Sequence, residues 1–576
     1  MRPERPEPRL LTSVWRLPLA LGLAFALSLP ALTTGLFGDD YFLLARLRLG
    51  PHTLRRSLEL YSLASATTAS ECIAHGGCPW FLDPTLRLEL LRPLSSLLFA
   101  LDDRLPGPLL AHLHSIAWFL LLVVAVYLLF RRALPGAVGG LALLLFAVDQ
   151  THFLPIGWLA NRHALVAAAP VLFGLVAHVR FREERFFAGL PLSLAGYSIG
   201  LLGGETALQA MAYLFAYELT LAPKEKRVRA LLPASLLLLA YLIAYRAFGY
   251  GAYHHDQYPD PFGAPAQFIA ALCTRLPALI ANLLGGLPSE LHGFFPALQP
   301  IIVILGLASL GVVAALLRLA WPFLPTHERR GVRFLGLGAL LSLLPAAAGP
   351  IGSRLLLLPS IGGAAVVAVI LLHARANAGP RSLATRAALV WLAAVHLVIS
   401  PLLLPASLSL LASKARQLEA LVASAQISPS SRKPDVLILA VPDLFSILYP
   451  PVMATLASKV PERNWWTLSV APFDHLLART GPRSFTLTLQ GGAFHQSYAE
   501  SFFRSARAPL HAGDRVALDG LSIELLSASA ISVVADRPLE DPSLRILTFS
   551  DGALRPVSMP AVGGSVLLRT ASWSQR

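Results

Sequence analysis

The chain has 576 residues, of which 55% are hydrophobic and only 14% are charged, and its mean hydropathy is +0.61. An ordinary soluble domain is about one quarter charged, so this composition excludes a soluble globular protein and indicates a polytopic membrane protein. The net charge of +14 would suit a nucleic-acid-binding protein, but much of it lies in short basic clusters between apolar runs. Such clusters mark the cytoplasmic ends of membrane spans, and nucleic acid is therefore not expected as a partner.

Apolar runs near the length that crosses a bilayer, about 20 residues, recur through the first two thirds of the chain. The first run is predicted to remain as a helix, because no convincing signal-peptide cleavage site precedes Gly38. With the basic clusters in the cytoplasm, the runs predict eleven transmembrane helices, an inner N-terminus and an outer C-terminus. The predicted spans are 14–34, 108–130, 134–150, 162–179, two flanking the outer turn "LLGGET", 229–248, 297–320, 331–348, 353–374 and 385–406.

The apolar stretch 264–293 is not counted among these spans. If it crossed the membrane, the basic segment "THERRGVR" would lie outside, against the charge rule. An external interfacial or re-entrant helix restores agreement, and Arg275 and Glu290 then need not be buried.

The composition changes after the Ser/Pro/Lys-rich segment "SAQISPSSRKP". Segments such as "SFTLTLQ" alternate polar and apolar residues and predict antiparallel strands. "DVLILAVPD" predicts a buried strand, with a helix near 451–459. The predicted fold class is a mainly α polytopic membrane protein with about eleven transmembrane helices and a small C-terminal, mainly β soluble domain. The predicted divisions are a transmembrane domain 1–412 with external loops 35–106 and 249–296, a linker 413–434 and an external domain 435–576.

Two adjacent carboxylates, Asp39 and Asp40, follow the first span. A solvated turn flanking a helix is one interpretation, and a catalytic pair is the other. Leucines and arginines interleave at helical spacing after them, which predicts an amphipathic helix on the membrane surface. Cys72 and Cys78 form either a disulfide, if their loop faces an oxidising compartment, or two free thiols.

Several further segments, in this order, accompany the acidic pair: "LRPLSSLLFALDDRLPG", "HLHSIAWFLLLVVAVYLLFRR", "FAVDQTHFLPIGWLANRHALVAA", "LLGGETAL" and "GSRLLLLPSIGGA". Together they resemble the GT-C superfamily of membrane glycosyltransferases, in its O-mannosyltransferase-like branch. The chain departs from that pattern at Gly204, where Lys is expected, and at Ser353, where Glu is expected. The resemblance implies sugar transfer from a polyprenyl-phosphate donor to an external acceptor, with inversion at the sugar.

Such a transfer needs a base for the acceptor hydroxyl and a cationic partner for the leaving phosphate. Asp40 is the first choice for the base, with Asp39 as its alternate or as a metal ligand. A divalent cation, Mg²⁺ or Mn²⁺, is the predicted cofactor, and Asp149 is a second candidate ligand. The predicted substrate-binding residues are Arg92, Asp149, His152, Asn161, Arg162 and Arg354.

Each assignment has a plainer alternative. His152 can be an interfacial residue, as aromatic side chains often are, and Arg354 can be an arginine that snorkels from a helix end. Glu205 is interpreted as capping the outer start of a span. "YHHDQYPD" could hold a divalent ion or be an ordinary loop.

The leading functional hypothesis is a glycosyltransferase of the bacterial inner membrane, with a cytoplasmic N-terminus and a periplasmic C-terminal domain. Its partners would be the membrane, a polyprenyl-phosphate-linked sugar and an acceptor glycan, lipid or protein. The alternatives are a non-catalytic transporter of lipid or polysaccharide and a scaffold of the cell envelope. No Walker loop, dinucleotide glycine fingerprint or HExxH motif occurs in the sequence.

Overall fold

The fold has a helical part followed by a β-rich part. A computed structural model describes residues 9–50, 53–65, 67–374, 382–426, 434–458 and 464–569. The end of the predicted linker, 427–433, and the last seven residues of the predicted external domain lie outside the described residues.

The segment up to residue 102 holds the first apolar helix and most of the first outer loop. Its elements are α1 (Arg9–Thr12), α2 (Arg16–Ser28), α3 (Asp39–Arg48), α4 (Leu54–Leu58), β1 (Ser62–Ala64), α5 (Ala69–Ala74), β2 (Arg87–Glu89) and α6 (Pro93–Asp102). A 3₁₀ turn extends α2 to Thr33. The helix predicted for the membrane surface is thus two short helices, and Tyr41 and Leu43 on α3 are buried.

The rest of the helical part is a bundle. Its elements are α7 (Pro108–Ala133), α8 (Ala137–Ala147), α9 (Phe153–Gly157), α10 (His163–Glu184), α11 (Gly189–Gly203), α12 (Thr206–Thr220), α13 (Arg227–Ala247), β3 (Gly251–Tyr253), α14 (Pro265–Gly285), α15 (Glu290–Phe294), α16 (Gln299–Ala320), α17 (Thr326–Ala346), α18 (Pro359–Val369), α19 (Leu383–Ala394) and α20 (Ser400–Ser424).

Seven helical segments of the described chain are long and apolar enough to cross a membrane: Arg16–Thr33, Pro108–Ala133, Leu159–Glu184, Arg227–Ala247, Pro265–Gly285, Pro296–Phe323 and Leu383–Ser424. An eighth results if α8 and the helical turn after it, bent by 44°, form one broken span. The predicted eleven also include α11, α12, α17 and α18. Three of these helices are short, and α17 begins in a basic cluster.

The prediction that Arg275 in 264–293 need not be buried is wrong. α14 packs along α16 and is one of the seven long apolar segments. Arg275 is buried on it, and its guanidinium donates to the carbonyls of Gln257, Ala347 and Gly349 at 3.3, 3.0 and 2.9 Å. Three carbonyl acceptors compensate the lost hydration of the cation, so this arginine is tolerated inside the fold.

The basic clusters meet at one end of the bundle. Arg132, at the end of α7, pairs with Glu184 at 2.6 Å, and Arg182 pairs with the buried Glu218 at 2.8 Å. The loops that hold β1, β2 and β3 meet at the other end, where these strands form one antiparallel sheet. The basic clusters and this three-stranded sheet therefore lie at opposite ends of the bundle.

The C-terminal part is mainly β, as predicted. Its elements are β4 (Asp435–Ala440), α21 (Leu444–Leu448), α22 (Pro450–Ser458), β5 (Trp465–Ser469), β6 (Asp474–Arg479), β7 (Ser484–Gln490), β8 (Arg515–Leu518), β9 (Leu521–Ser527), β10 (Ala530–Ala535), β11 (Leu544–Ser550), β12 (Ala553–Pro556) and β13 (Ser565–Leu568). A six-stranded sheet, ordered β13-β6-β7-β10-β9-β8, is antiparallel throughout. In the second sheet, β12-β11-β4-β5, β4 runs parallel to both neighbours. The crossover through α21 and α22 allows the parallel pairing of β4 with β5.

This β-rich part shares a hydrophobic core with the first outer loop, in which Trp80 and Phe81 pack with residues of β4 and β5. Cys72 and Cys78 form a disulfide in that loop. α20 continues to Ser424, so the first half of the predicted linker is helical. The β-rich part therefore packs directly against the end of the bundle that carries this loop.

Candidate active site

Asp40 holds two loops together. It is fully buried, and its carboxylate accepts the backbone N–H groups of Phe37 at 2.9 Å and Ala160 at 2.6 Å. The Asp40 N–H in turn donates to the Phe37 carbonyl, an arrangement close to a helix capping box. Burial raises the pKa of Asp40 to about 7, against the two backbone hydrogen bonds, which lower it. Both carboxylate oxygens of Asp40 are thus engaged within the protein.

Asp39 has a different environment. Its side chain is only partly buried, and its Oδ1 accepts a hydrogen bond of 2.7 Å from the hydroxyl of Tyr449. Burial raises the pKa of Asp39, while the Tyr449 hydrogen bond and the charges of Arg354 and Arg92 act in the opposite direction. The charges of two arginines, Arg354 and Arg92, therefore act on Asp39, whereas Arg162 is the arginine whose charge acts on Asp40.

Both acids begin α3 because Gly38 precedes it at φ +58°, a backbone conformation that favours glycine. A carboxylate in the first turn of a helix is also stabilised by the helix dipole. The indole of Trp158 covers this turn, since a Cβ on Gly38 would lie 3.2 Å from it. The Trp158 Nε1 is buried and has no hydrogen-bond partner among the described residues.

Arg92 lies between the first outer loop and the start of α12. Its Nε donates to Glu205 at 2.7 Å, and its guanidinium stacks on the ring of Tyr61 at 4.8 Å. Glu205 also accepts a hydrogen bond of 3.0 Å from Tyr245. Glu205 occupies the N-cap position of α12, as predicted, but its side chain makes no capping bond. Its carboxylate is instead the counter-ion of Arg92.

The sequence reasoning also missed His163. A Cβ on Gly204 would lie 3.2 Å from His163 Nδ1 and 3.5 Å from Arg92 Nε, so these groups are close together. The buried His163 Nδ1 has no hydrogen-bond partner in the described part of the chain. Its position in the sequence could have identified it, because His163 directly follows the predicted site residues Asn161 and Arg162.

Arg354 belongs to a 3₁₀ turn, Ser353–Leu356, before α18. Glu290 fixes this turn by accepting hydrogen bonds from the N–H and the hydroxyl of Ser353. The guanidinium of Arg354 contacts the Pro350 carbonyl at 3.4 Å, and none of the ion pairs found in the described residues includes it. Arg354 is therefore a partly buried cation with no carboxylate oxygen within 4 Å among the described residues.

The remaining predicted substrate-binding residues lie between α8 and α10, in residues 148–162. Arg162 is 2% exposed, forms an ion pair with Asp102 and donates to the Ala111 carbonyl at 3.1 Å. His152 is buried between aromatic rings and contacts Ser360 Oγ at 3.2 Å. The environments of these two residues are those of structural side chains.

Asp149 and Asn161 remain on the same loop. Asp149 accepts the Thr151 N–H at 2.9 Å and lines a small pocket with Gln150, Asn282 and Ser400. The turn after Asp149 packs against the turn that carries Arg354. Asn161 is buried beside Ala160, whose N–H binds Asp40.

The described residues do not form a ready metal centre. No group of three or more His, Cys, Asp or Glu side chains in this part of the chain is arranged to hold a metal ion. Asp256, in the loop considered as an ion site, instead accepts hydrogen bonds from Ser505 at 2.7 Å and from the N–H of Ala506 at 2.8 Å. That loop is a contact between the bundle and the β-rich part.

The fold is similar to that of two solved structures. No protein-family model matches the sequence, and a search of curated proteins found no match. The oligosaccharyltransferase AglB from Archaeoglobus fulgidus, in complex with an inhibitory peptide and a dolichol-phosphate, is 12% identical with a TM-score of 0.37 and covers 79% of this chain and 65% of its own. The A. fulgidus oligosaccharyltransferase tethered to an acceptor peptide is 13% identical with a TM-score of 0.37, at 80% and 64% coverage. The chain thus spans less than two thirds of either archaeal protein that it matches.

Proposed function

We propose that the protein is a membrane glycosyltransferase of the GT-C type, which moves a sugar from a polyprenyl-phosphate donor to an acceptor at the outer face of the membrane. The observation that carries this proposal is the geometry of Asp39, a partly buried residue just after the first apolar helix whose Oδ1 accepts the Tyr449 hydroxyl at 2.7 Å. The charges of Arg354 and Arg92 act on the same carboxylate. A carboxylate beside cations, next to the lipid, suits a reaction in which a hydroxyl loses a proton and a phosphate leaves.

Asp39 is the better candidate for the base than Asp40. Both oxygens of Asp40 already accept backbone hydrogen bonds inside the protein, whereas Asp39 Oδ1 has one donor and the side chain remains partly exposed. A general base must reach the proton that it removes. Asp40 then has a different task, which is to fix the turn that presents Asp39.

The reaction proposed is a direct displacement with inversion. The acceptor oxygen bonds to C1 of the sugar, the bond between C1 and the phosphate oxygen breaks, and Asp39 takes the hydroxyl proton. The phosphate leaves with the electron pair of the broken bond. Arg354 is the best candidate to bind the leaving phosphate, because a guanidinium fork matches phosphate oxygens. The Arg354 guanidinium also has no carboxylate partner within 4 Å among the described residues.

Arg92 and His163 are secondary candidates for the phosphate. Arg92 is already paired with Glu205, so its charge is partly compensated before the donor binds. The unpartnered Nδ1 of His163 beside it could bond a phosphate oxygen once the ring nitrogen carries a proton.

A divalent cation, Mg²⁺ or Mn²⁺, stays a prediction, with Asp39 and Asp149 as its candidate ligands. The described residues around Asp39 do not supply a converging set of ligands, and no step above depends on a metal. We further propose that the site faces the periplasm of a bacterial inner membrane, with the N-terminus in the cytoplasm. The acceptor is a glycan, lipid or protein on that side.

Replacement of the two acids separately tests this proposal. In Asp39→Asn we expect transfer from a radiolabelled polyprenyl-phosphate sugar to fall by about 100-fold or more, the usual contribution of a general base, with the thermal unfolding temperature unchanged. In Asp40→Asn we expect a lower unfolding temperature, because one acceptor oxygen of a buried clamp is lost.

The assay is run on purified protein in proteoliposomes that contain the labelled donor. Full transfer by Asp39→Asn would contradict the assignment of the base. Labelled donor that crosses the bilayer without release of sugar, equally in wild type and Asp39→Asn, would favour the transporter instead.

A further inference from the structure

Tyr449 belongs to the β-rich part, yet its hydroxyl lies in the candidate active site. It stands between α21 and α22 and is 410 positions from Asp39 in the sequence. Its hydroxyl donates to Asp39 Oδ1 over 2.7 Å.

The position of this hydroxyl is fixed by packing. The Tyr449 side chain is 4% exposed, and its ring lies 5.4 Å from the ring of Phe42 and 5.8 Å from that of Phe445. A Cβ on Gly38 would be only 3.4 Å from the hydroxyl, so the backbone before Asp39 is close to it. The Tyr449 ring packs against Phe42 and Phe445, and its hydroxyl lies close to Gly38. The hydroxyl therefore cannot move with a rotating carboxylate, and it fixes the position of Asp39 Oδ1.

The hydrogen bond from Tyr449 restrains Asp39 in the presence of two arginine charges. Arg354 and Arg92 both act on this carboxylate, and an unrestrained carboxylate would turn toward a guanidinium. A carboxylate fully paired with a guanidinium is a poor base, because the cation stabilises its ionised form. A neutral donor on one oxygen holds the group in place and leaves the second oxygen available to an acceptor hydroxyl.

We propose that Tyr449 is the positioning residue for Asp39, and that the β-rich C-terminal part thereby completes the candidate active site. This inference rests on the proposed function, in which Asp39 is the base. It assigns the C-terminal part a role in the reaction itself, in addition to any contact with an acceptor.

Tyr449→Phe tests the proposal, because it removes the hydroxyl and keeps the packed ring. We expect kcat to fall about 10- to 100-fold, the effect of losing a hydrogen bond to a charged group, while the KM for the labelled polyprenyl-phosphate sugar stays unchanged. The acidic limb of the rate profile should move to higher pH. The hydrogen bond lowers the pKa of Asp39, and its loss lets that pKa rise, so the active ionised form is lost sooner on acidification.

Tyr41→Phe is the matched control. Tyr41 lies on the same helix, is 8% exposed, and donates its hydroxyl to a different carboxylate, that of Glu419, at 3.2 Å. This variant loses an equivalent buried hydrogen bond, and we expect an unchanged kcat and pH profile.

The outcomes separate the two proposals. If Tyr449→Phe keeps the wild-type kcat and pH profile, or only loses unfolding temperature as Tyr41→Phe does, the positioning role is overturned while the proposed function stands. If Asp39→Asn keeps full transfer, the assignment of Asp39 as the base falls, and this inference falls with it. If the wild-type protein releases or transfers no sugar from the labelled donor, the proposed function itself falls. A lower kcat with a shifted acidic limb in Tyr449→Phe alone supports the inference.

Discussion

Two neighbouring aspartates have opposite environments in this protein. Successive residues of a helix point about 100° apart, so Asp40 turns inward to the amides of Phe37 and Ala160 while Asp39 turns toward Tyr449 and the arginines. The sequence predicts an acidic pair at the outer end of a span. Which acid is free to react depends on loops that are more than 100 residues away.

A residue-scale prediction concerns Arg354. Lysine in its place keeps the positive charge and loses the fork that matches a phosphate. We expect Arg354→Lys to raise the KM for the labelled polyprenyl-phosphate sugar about 10-fold, since a hydrogen bond to a charged group contributes about 1.5–3 kcal/mol. Arg48→Lys is the control, because Arg48 forms an exposed pair with Asp103, and it should leave the KM unchanged. An equal KM in both variants would remove Arg354 from the donor site.

At the scale of elements, the site is assembled from helix beginnings and short turns. α3, the turn Ser353–Leu356 and the start of α12 contribute Asp39, Arg354 and the Glu205 partner of Arg92. Such turns have little periodicity, whereas long apolar helices have a clear pattern. The periodicity therefore predicted the β hairpins and most helices. The charge rule led to the wrong expectation for α14, because its arginine is buried and satisfied by carbonyls of other segments.

Two glycines allow an element-scale prediction. Gly38 and Gly107 both cap the start of a helix at positive φ, +58° and +80°. Alanine at either position should cost about 1–3 kcal/mol of backbone strain. A Cβ on Gly38 would also press on Trp158 and the Tyr449 hydroxyl, while one on Gly107 meets nothing within 4 Å. We expect both variants to unfold at similarly lowered temperatures, and only Gly38→Ala to lose transfer activity beyond that. Equal activities would show that the turn before Asp39 tolerates displacement.

The whole molecule is an apolar bundle with a β-rich part docked on the loops at one of its ends. The disulfide loop 72–78 is one docking point: the carbonyl of His75 accepts the N–H of Trp465 at 3.1 Å, and that of Ala74 accepts the indole N–H of Trp466 at 2.9 Å. Together with the Asp256 contacts, this loop holds the part that carries Tyr449.

The corresponding prediction uses the three cysteines. Replacing Cys72 and Cys78 together by Ser should lower the free energy of unfolding by about 2–3 kcal/mol, as expected for a short disulfide loop. Hydrogen exchange should rise in β5, which packs on that loop. Cys273→Ser is the control, since this thiol is free and exposed. Unchanged exchange in β5 would show that the disulfide does not hold the β-rich part in place.

Hydropathy and residue patterns alone are sufficient to predict the membrane character, the helical bundle followed by a β-rich part, and an acidic pair just after the first apolar helix. Hydrophobicity and its period are local properties of the chain, so they can be read without a structure. In the folded chain, Asp40 accepts the Ala160 N–H, Arg162 pairs with Asp102, and Glu205 pairs with Arg92. The tertiary structure also brings Tyr449 to Asp39. These are contacts between residues far apart in the chain, and a charged side chain has the same appearance in a sequence whether its partner is solvent, a backbone amide or another charge.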